Sequence, residues 1–189
     1  MNITKIGKGK SKAVFVDRDG TLNEDTSYPH KIEHFFILPG VIEGLKKLSK
    51  EYIFIIITNQ SGIGRGIFTE EDFHIFNNHL ISVLEKEGIE IKKTYHCQHR
   101  PEDKCSCRKP NITNIKRASK EFNIDLKKSW MIGDHPPDIE LGKKAGTKTV
   151  FMLTGHGKNH IEDLKRMKLT PDFIAKNFNE AADFILKND

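Results

Sequence analysis

Two aspartates separated by a single residue, in Asp17-Arg18-Asp19-Gly20-Thr21, close a short apolar run. Residues two apart on extended chain project to the same side, so both carboxylates can face one site. Like charges that near each other are costly unless a cation or a proton shares them. Mg²⁺, which takes carboxylate and carbonyl oxygens as ligands, would serve. Alone, the pair is explained equally well by an acidic turn. Three further clusters accompany it: Thr58-Asn59-Gln60-Ser61 after a second apolar run, Gly133-Asp134 with Asp138 beyond it, and Arg108-Lys109-Pro110, read as an exposed basic pair. Nucleophile, donor, cation and metal ligand together supply what phosphoryl transfer needs.

All three cysteines fall in one stretch, Cys97-Gln98-His99, five residues, then Cys105-Ser106-Cys107. Three thiolates and an imidazole make a closed tetrahedral Zn²⁺ site, which has no open position for chemistry and is therefore structural. His96 competes with His99 for the fourth place, and free thiols or a Cys105–Cys107 bridge are the plainer alternatives. With zinc bound, the loop would be stiffened where it runs into Arg108-Lys109.

These residues need elements to position them. Continuous apolar runs at 13–17, 52–58, 129–133 and 148–153 read as strands covered on both faces. Between them, Thr69 caps an acidic first turn and Phe73, Phe76, Leu80, Val83 and Leu84 form a helical stripe; Ile112, Ile115, Ala118 and Phe122 form another, and Ile42, Leu45 and Leu48 a third. The alternation predicts an α/β, three-layer Rossmann-like fold with a mostly parallel central sheet, whose ligands bind at the carboxyl ends of the strands. With 189 residues, the chain is read as a flexible basic lead-in over 1–12 and a single domain over 13–189, a monomer. No apolar run approaches the length of a membrane span and no apolar segment follows the basic start, so a cytoplasmic protein without a membrane partner is expected. The net charge of +5 is read as a solvated lysine surface, not a nucleic-acid footprint. A zinc-stabilised nucleic-acid module stands as the rival from another class, but it leaves Asp17, Asp19 and Asp134 unexplained.

Residues 17–21 (DRDGT), Thr58-Asn59, Lys109 and Asp134 with Asp138 resemble, in order and spacing over 13–155, the four motifs of the haloacid dehalogenase superfamily of phosphatases. The resemblance implies that Asp17 attacks phosphorus and that Asp19 protonates the leaving oxygen and later deprotonates water. It also implies that Thr58 and Lys109 hold the phosphoryl oxygens. Mg²⁺ would sit on the Asp17 carboxylate, the Asp19 backbone carbonyl and Asp134, with Asp138 as an additional carboxylate or a support for these. No interval is long enough for a separate cap domain, so loops alone should shape the site. The cysteine loop resembles an insertion in the superfamily's branch of heptose-bisphosphate and histidinol-phosphate phosphatases. Residues 58–66 (TNQSGIGRG) and Tyr28-Pro29-His30 resemble the heptose form, acting on the 7-phosphate of a heptose 1,7-bisphosphate in nucleotide-activated heptose synthesis. The five-residue spacer resembles histidinol phosphatases instead. A phosphatase of DNA ends is a further alternative. On the heptose reading Asp25, Tyr28 and Arg108 contact the sugar or its second phosphate, joined by His135 and by Asn59, Gln60 and Ser61. The glycines at 62–66 are read as letting the loop pass beneath the phosphate, and residues 155–158 as a plain turn.

Overall fold

Strands built from unbroken Val, Ile and Phe must be covered on both faces, and this requirement arranges the chain. The structure is a computed structural model that describes residues 9–189. Its strands are β1 (Lys12–Val16), β2 (Tyr52–Asn59), β3 (Ile91–Cys97), β4 (Trp130–Gly133), β5 (Lys148–Met152) and β6 (Phe173–Ala175). They form one sheet in the order β3-β2-β1-β4-β5-β6, every ladder parallel. The helices are α1 (Val41–Leu48), α2 (Ser61–Gly64), α3 (Glu70–Lys86), α4 (Thr113–Glu121), α5 (Pro136–Ala145), α6 (Ile161–Arg166) and α7 (Phe178–Lys187).

Alternate strand residues serve opposite layers. Val14, Val16, Phe54, Ile56 and Ile132 pack with Leu45 of α1, Leu80 of α3 and Phe178 of α7. Ala13, Phe15, Ile55, Ile57 and Met131 pack on the other face with Ile115 of α4 and Leu141 of α5. This is the expected three-layer fold. The ladder starts earlier than anticipated: Lys12 pairs with Tyr52, and Ser11 bridges Ile124, so both belong to the folded body and not to a lead-in. Residues 1–8 of that lead-in lie outside those described.

The strand order reverses between β1 and β4, which opens a crevice at their carboxyl ends. Asp17 and Asp134 are the first residues beyond those two strands. Between β1 and α1, and between β3 and α4, the only helical pieces are 3₁₀ turns at Ile32–His34 and Pro101–Asp103. Among the described residues there is thus no cap domain above the crevice, and no helix is long and apolar enough to cross a membrane.

Candidate active site

The β1–β4 ladder brings the first two acids together. The Asp17 amide continues the pairing by donating to the Ile132 carbonyl, 2.9 Å away, and turns its buried carboxylate into the crevice. Lys109 enters from the cysteine loop. Its Nζ lies 2.8 Å from Asp17 Oδ2, 2.7 Å from Asp138 Oδ1 and 3.0 Å from the Ile57 carbonyl. The expected exposed pair is therefore split: Lys109 is 5% exposed, and only Arg108 reaches the surface. Proline after a lysine says nothing about burial; the two carboxylates that draw Lys109 inward come from β1 and α5.

Burial pushes Asp17 up to about 7, opposed by Lys109 and reinforced by Asp138 and Asp134. Burial also works against the charge of Lys109, but Asp138 and Asp17 outweigh it and hold the ammonium above its usual range. His135 sits with its Nδ1 3.2 Å from Asp134 Oδ1; burial disfavours its charge, yet Asp134, Asp138 and Asp17 push it up to about 9. Carboxylate oxygens of Asp17, Asp134 and Asp138 and one His135 nitrogen lie within 4.8 Å of one another. Three buried carboxylates facing one ammonium are a hard, oxygen-rich donor set with surplus negative charge, and they fit Mg²⁺.

Asp19 does not share that cluster with its carboxylate. The like-charge problem of the Asp17/Asp19 pair is solved with two separate cations, Lys109 for the first and Arg18 for the second. Arg18 Nε and Nη2 grip Asp19 Oδ1 and Oδ2, while Asn23 and Gln60 donate to the same two oxygens at 2.9 and 2.8 Å. Arg18 is fully buried, its guanidinium over the rings of Phe73 and Phe76. Arg18, Asn23 and the role of Gln60 were missed in the sequence; the one signal was a cation placed between the two acids.

Gln60 Nε2 also donates to Thr58 Oγ1 at 2.8 Å, joining donor and acid. Asn59 accepts from the Lys109 amide at 3.0 Å, so its carboxamide also orients the lysine. Asp17, Asp19, Asp25, Tyr28, Thr58, Asn59, Gln60, Ser61, Arg108, Lys109 and His135 all line one cavity of about 320 Å³. Asp134 and Asp138 lie just beneath it, both fully buried.

Residues 155–158 are not a plain turn. The Thr154 hydroxyl donates to the Gly20 carbonyl at 2.7 Å, and the His156 amide donates to Asp134 Oδ2 at 3.0 Å. Gly155 must be glycine here, because a Cβ would stand 2.4 Å from Gly20 Cα. In the glycine loop after Thr58, Gly64 packs against the Gln98 carbonyl, where a Cβ would meet the oxygen at 2.6 Å, so it joins α2 to the cysteine loop.

In that loop the four expected ligands converge. Cys97 Sγ is 2.9 Å from Cys107 Sγ and 3.5 Å from Cys105 Sγ, and His99 Nδ1 is 3.3 Å from Cys107 Sγ. All three cysteines are free, which excludes the Cys105–Cys107 bridge, and His96 faces Glu70 instead of competing with His99. Three thiols and an imidazole at these separations fit tetrahedral zinc. The Arg108 guanidinium donates to the His99 carbonyl at 3.2 Å, tying the loop to the residue before Lys109.

A HAD-hydrolase-like family model matches residues 106–181. Fold, site and match together define a phosphoric monoester hydrolase of the haloacid dehalogenase-like class. The D-glycero-alpha-D-manno-heptose-1,7-bisphosphate 7-phosphatase of Campylobacter jejuni is 36% identical over 181 residues, 95% of this chain and 99% of the relative. The probable D-glycero-D-manno-heptose-1,7-bisphosphate 7-phosphatase of Thermoplasma acidophilum is 44% identical over 77% of this chain and 91% of its own. A crystal structure of the D,D-heptose 1,7-bisphosphate phosphatase of B. bronchiseptica, complexed with magnesium and phosphate, matches with a TM-score of 0.84 at 25% identity, covering 94% of this chain and 99% of that one. The chain belongs to the family these phosphatases make up.

Proposed function

We propose that the protein hydrolyses the 7-phosphate of D-glycero-D-manno-heptose 1,7-bisphosphate, as part of nucleotide-activated heptose synthesis for lipopolysaccharide or another surface glycan. The observation that carries the chemistry is Asp17, buried at the crevice floor with Lys109 at 2.8 Å and the separately held Asp19 at the same cavity wall. The named relatives support the substrate.

An Asp17 oxygen forms a bond to the phosphorus while the bond from phosphorus to the substrate's O7 breaks, and Asp19 gives O7 its proton. Water then attacks the aspartyl-phosphate, Asp19 takes a proton back, and the bond to Asp17 breaks to release inorganic phosphate. Thr58 and Lys109 hold the phosphoryl oxygens, where charge accumulates. Asp17, Asp134 and the Asp19 carbonyl would hold Mg²⁺, with Asp138 supporting Lys109; when bound, the ion offsets the repulsion between carboxylate and phosphate. Cys97, His99, Cys105 and Cys107 would hold structural Zn²⁺. Arg108, with a forked guanidinium suited to a phosphate that is held and not cleaved, faces the second phosphate, and Asp25, Tyr28, Ser61 and His135 complete the sugar's surroundings. The folded body from Ser11 onward acts as one catalytic domain and the protein works as a cytoplasmic monomer. Parallel turnover assays decide the substrate: a larger kcat/KM for the heptose bisphosphate is expected, and a larger value for histidinol phosphate overturns the assignment.

A further inference from the structure

A second convergence of metal-ligating side chains lies away from the cavity, between α3 and β3. Glu70 and His74 stand one turn apart on α3, so they share a face. His96 is next to Cys97 on β3, and neighbours on a strand point to opposite sides. Cys97 turns to the cysteine loop; His96 turns to α3, where its ring lies on Phe73 with centroids 4.3 Å apart. Both imidazoles bring Nε2 to the same carboxylate oxygen: Glu70 Oε1 is 3.1 Å from His96 and 3.9 Å from His74, and the donor atoms of all three lie within 4.8 Å of one another.

We propose that Glu70, His74 and His96 form a binding site for a late first-row divalent ion such as nickel, cobalt or zinc. Metal bonds of about 2.0–2.1 Å place tetrahedral ligand atoms about 3.4 Å apart, and the observed separations straddle that value. Two imidazoles and one carboxylate select these ions over magnesium, which prefers all-oxygen surroundings. The backbone of the first turn of α3 and the His96 ring are ordered before any ion arrives. The Thr69–Asp72 capping box fixes the first turn of α3, where Glu70 stands, and Phe73 backs the His96 ring. His74 and Glu70 are half exposed, so the ion has a direct path from solvent and keeps water on its open side. An ion there links helix to strand just outside Phe73, whose inner face carries Arg18.

The test is a calorimetric titration of zinc-replete protein with Ni²⁺ in excess Mg²⁺, alongside thermal melts. One saturable equivalent is expected, weakened about tenfold or more in His74→Gln and in His96→Gln, with Ni²⁺ raising the melting temperature of the parent but not of the variants. His74 is exposed, so His74→Gln should melt like the parent without metal, and lost binding is then loss of a ligand. His160→Gln, at a residue whose ring lies 4.7 Å from that of His135 in a separate histidine group, should leave the titration unchanged. No saturable nickel equivalent, or one that follows His160 and ignores His74 and His96, overturns the site.

Discussion

Arg18 holds both carboxylate oxygens of Asp19, with Nε 2.8 Å from one and Nη2 2.9 Å from the other. Charged donors in a fork are stronger and more directional than a single contact, and the guanidinium also lies against the rings of Phe73 and Phe76. Arg18→Lys keeps the charge but loses the fork. We expect kcat to fall about a hundredfold, the low end of what a positioned acid contributes, while KM changes little. Steady-state kinetics read this split; an equal rise in KM would mean that Arg18 shapes binding and not the acid.

Asp17→Asn removes the attacking oxygen anion, and turnover should fall by more than about a thousandfold. The same change should not weaken the fold. Because burial pushes the carboxyl up to about 7, a neutral amide of equal shape is no worse a tenant. A melt of metal-free protein at pH 8 is expected to be equal to or above that of the parent. A large drop would show that the charge on Asp17 supports the structure.

Lys109→Met does the reverse. It strands Asp17 and Asp138, both of which rely on this ammonium. Removing one partner from a buried pair costs on the order of 3–5 kcal/mol. Chemical denaturation should show such a loss without metal, and added Mg²⁺ should restore part of it. Activity should not return.

Cys105→Ser should lower bound zinc, measured by elemental analysis, and reduce turnover even though Cys105 touches no substrate. Arg108 and Asn59 fix Lys109 only while the loop beside them keeps its shape. Full activity with zinc absent would separate the loop from catalysis.

Asp172 offers a pH test remote from the site. Its carboxylate accepts from the Thr149 amide and hydroxyl and pairs with Lys143. Partial burial opposes its charge, but Lys143 and Thr149 outweigh that and hold its pKa below the usual value. A depressed native pKa means that the unfolded chain binds the proton more readily. The stabilisation is therefore present above about pH 4 and is lost as pH falls further. Asp172→Asn should melt below the parent at pH 7, and the gap should narrow as pH falls below about 4. A gap that persists in acid would assign the loss to packing.

Much of this was legible in the sequence because strand ends place chemistry where pattern can find it. Asp17, Thr58 and Asp134 each follow or close an apolar run, and parallel topology brings such ends to one edge. β3 was harder to place, since it is a sheet edge with Lys92 and Lys93 exposed, and β6, at three residues, is too short to carry a period. Side-chain allegiance was illegible. Whether Asn59 meets a ligand or Lys109, or whether Gly155 turns in solvent or lies on Gly20, depends on segments brought together from distant parts of the chain.

Among the described residues nothing folds over the crevice, and reactive groups stand at the sheet's edge while much of the rim comes from segments around Tyr28, Arg108 and His156. Chemistry and substrate choice thus sit largely on different pieces of polypeptide and meet at Arg108-Lys109 and Asp134-His135. Grafting a foreign rim onto an untouched strand scaffold is the natural way to redirect such a catalyst toward another phosphorylated metabolite.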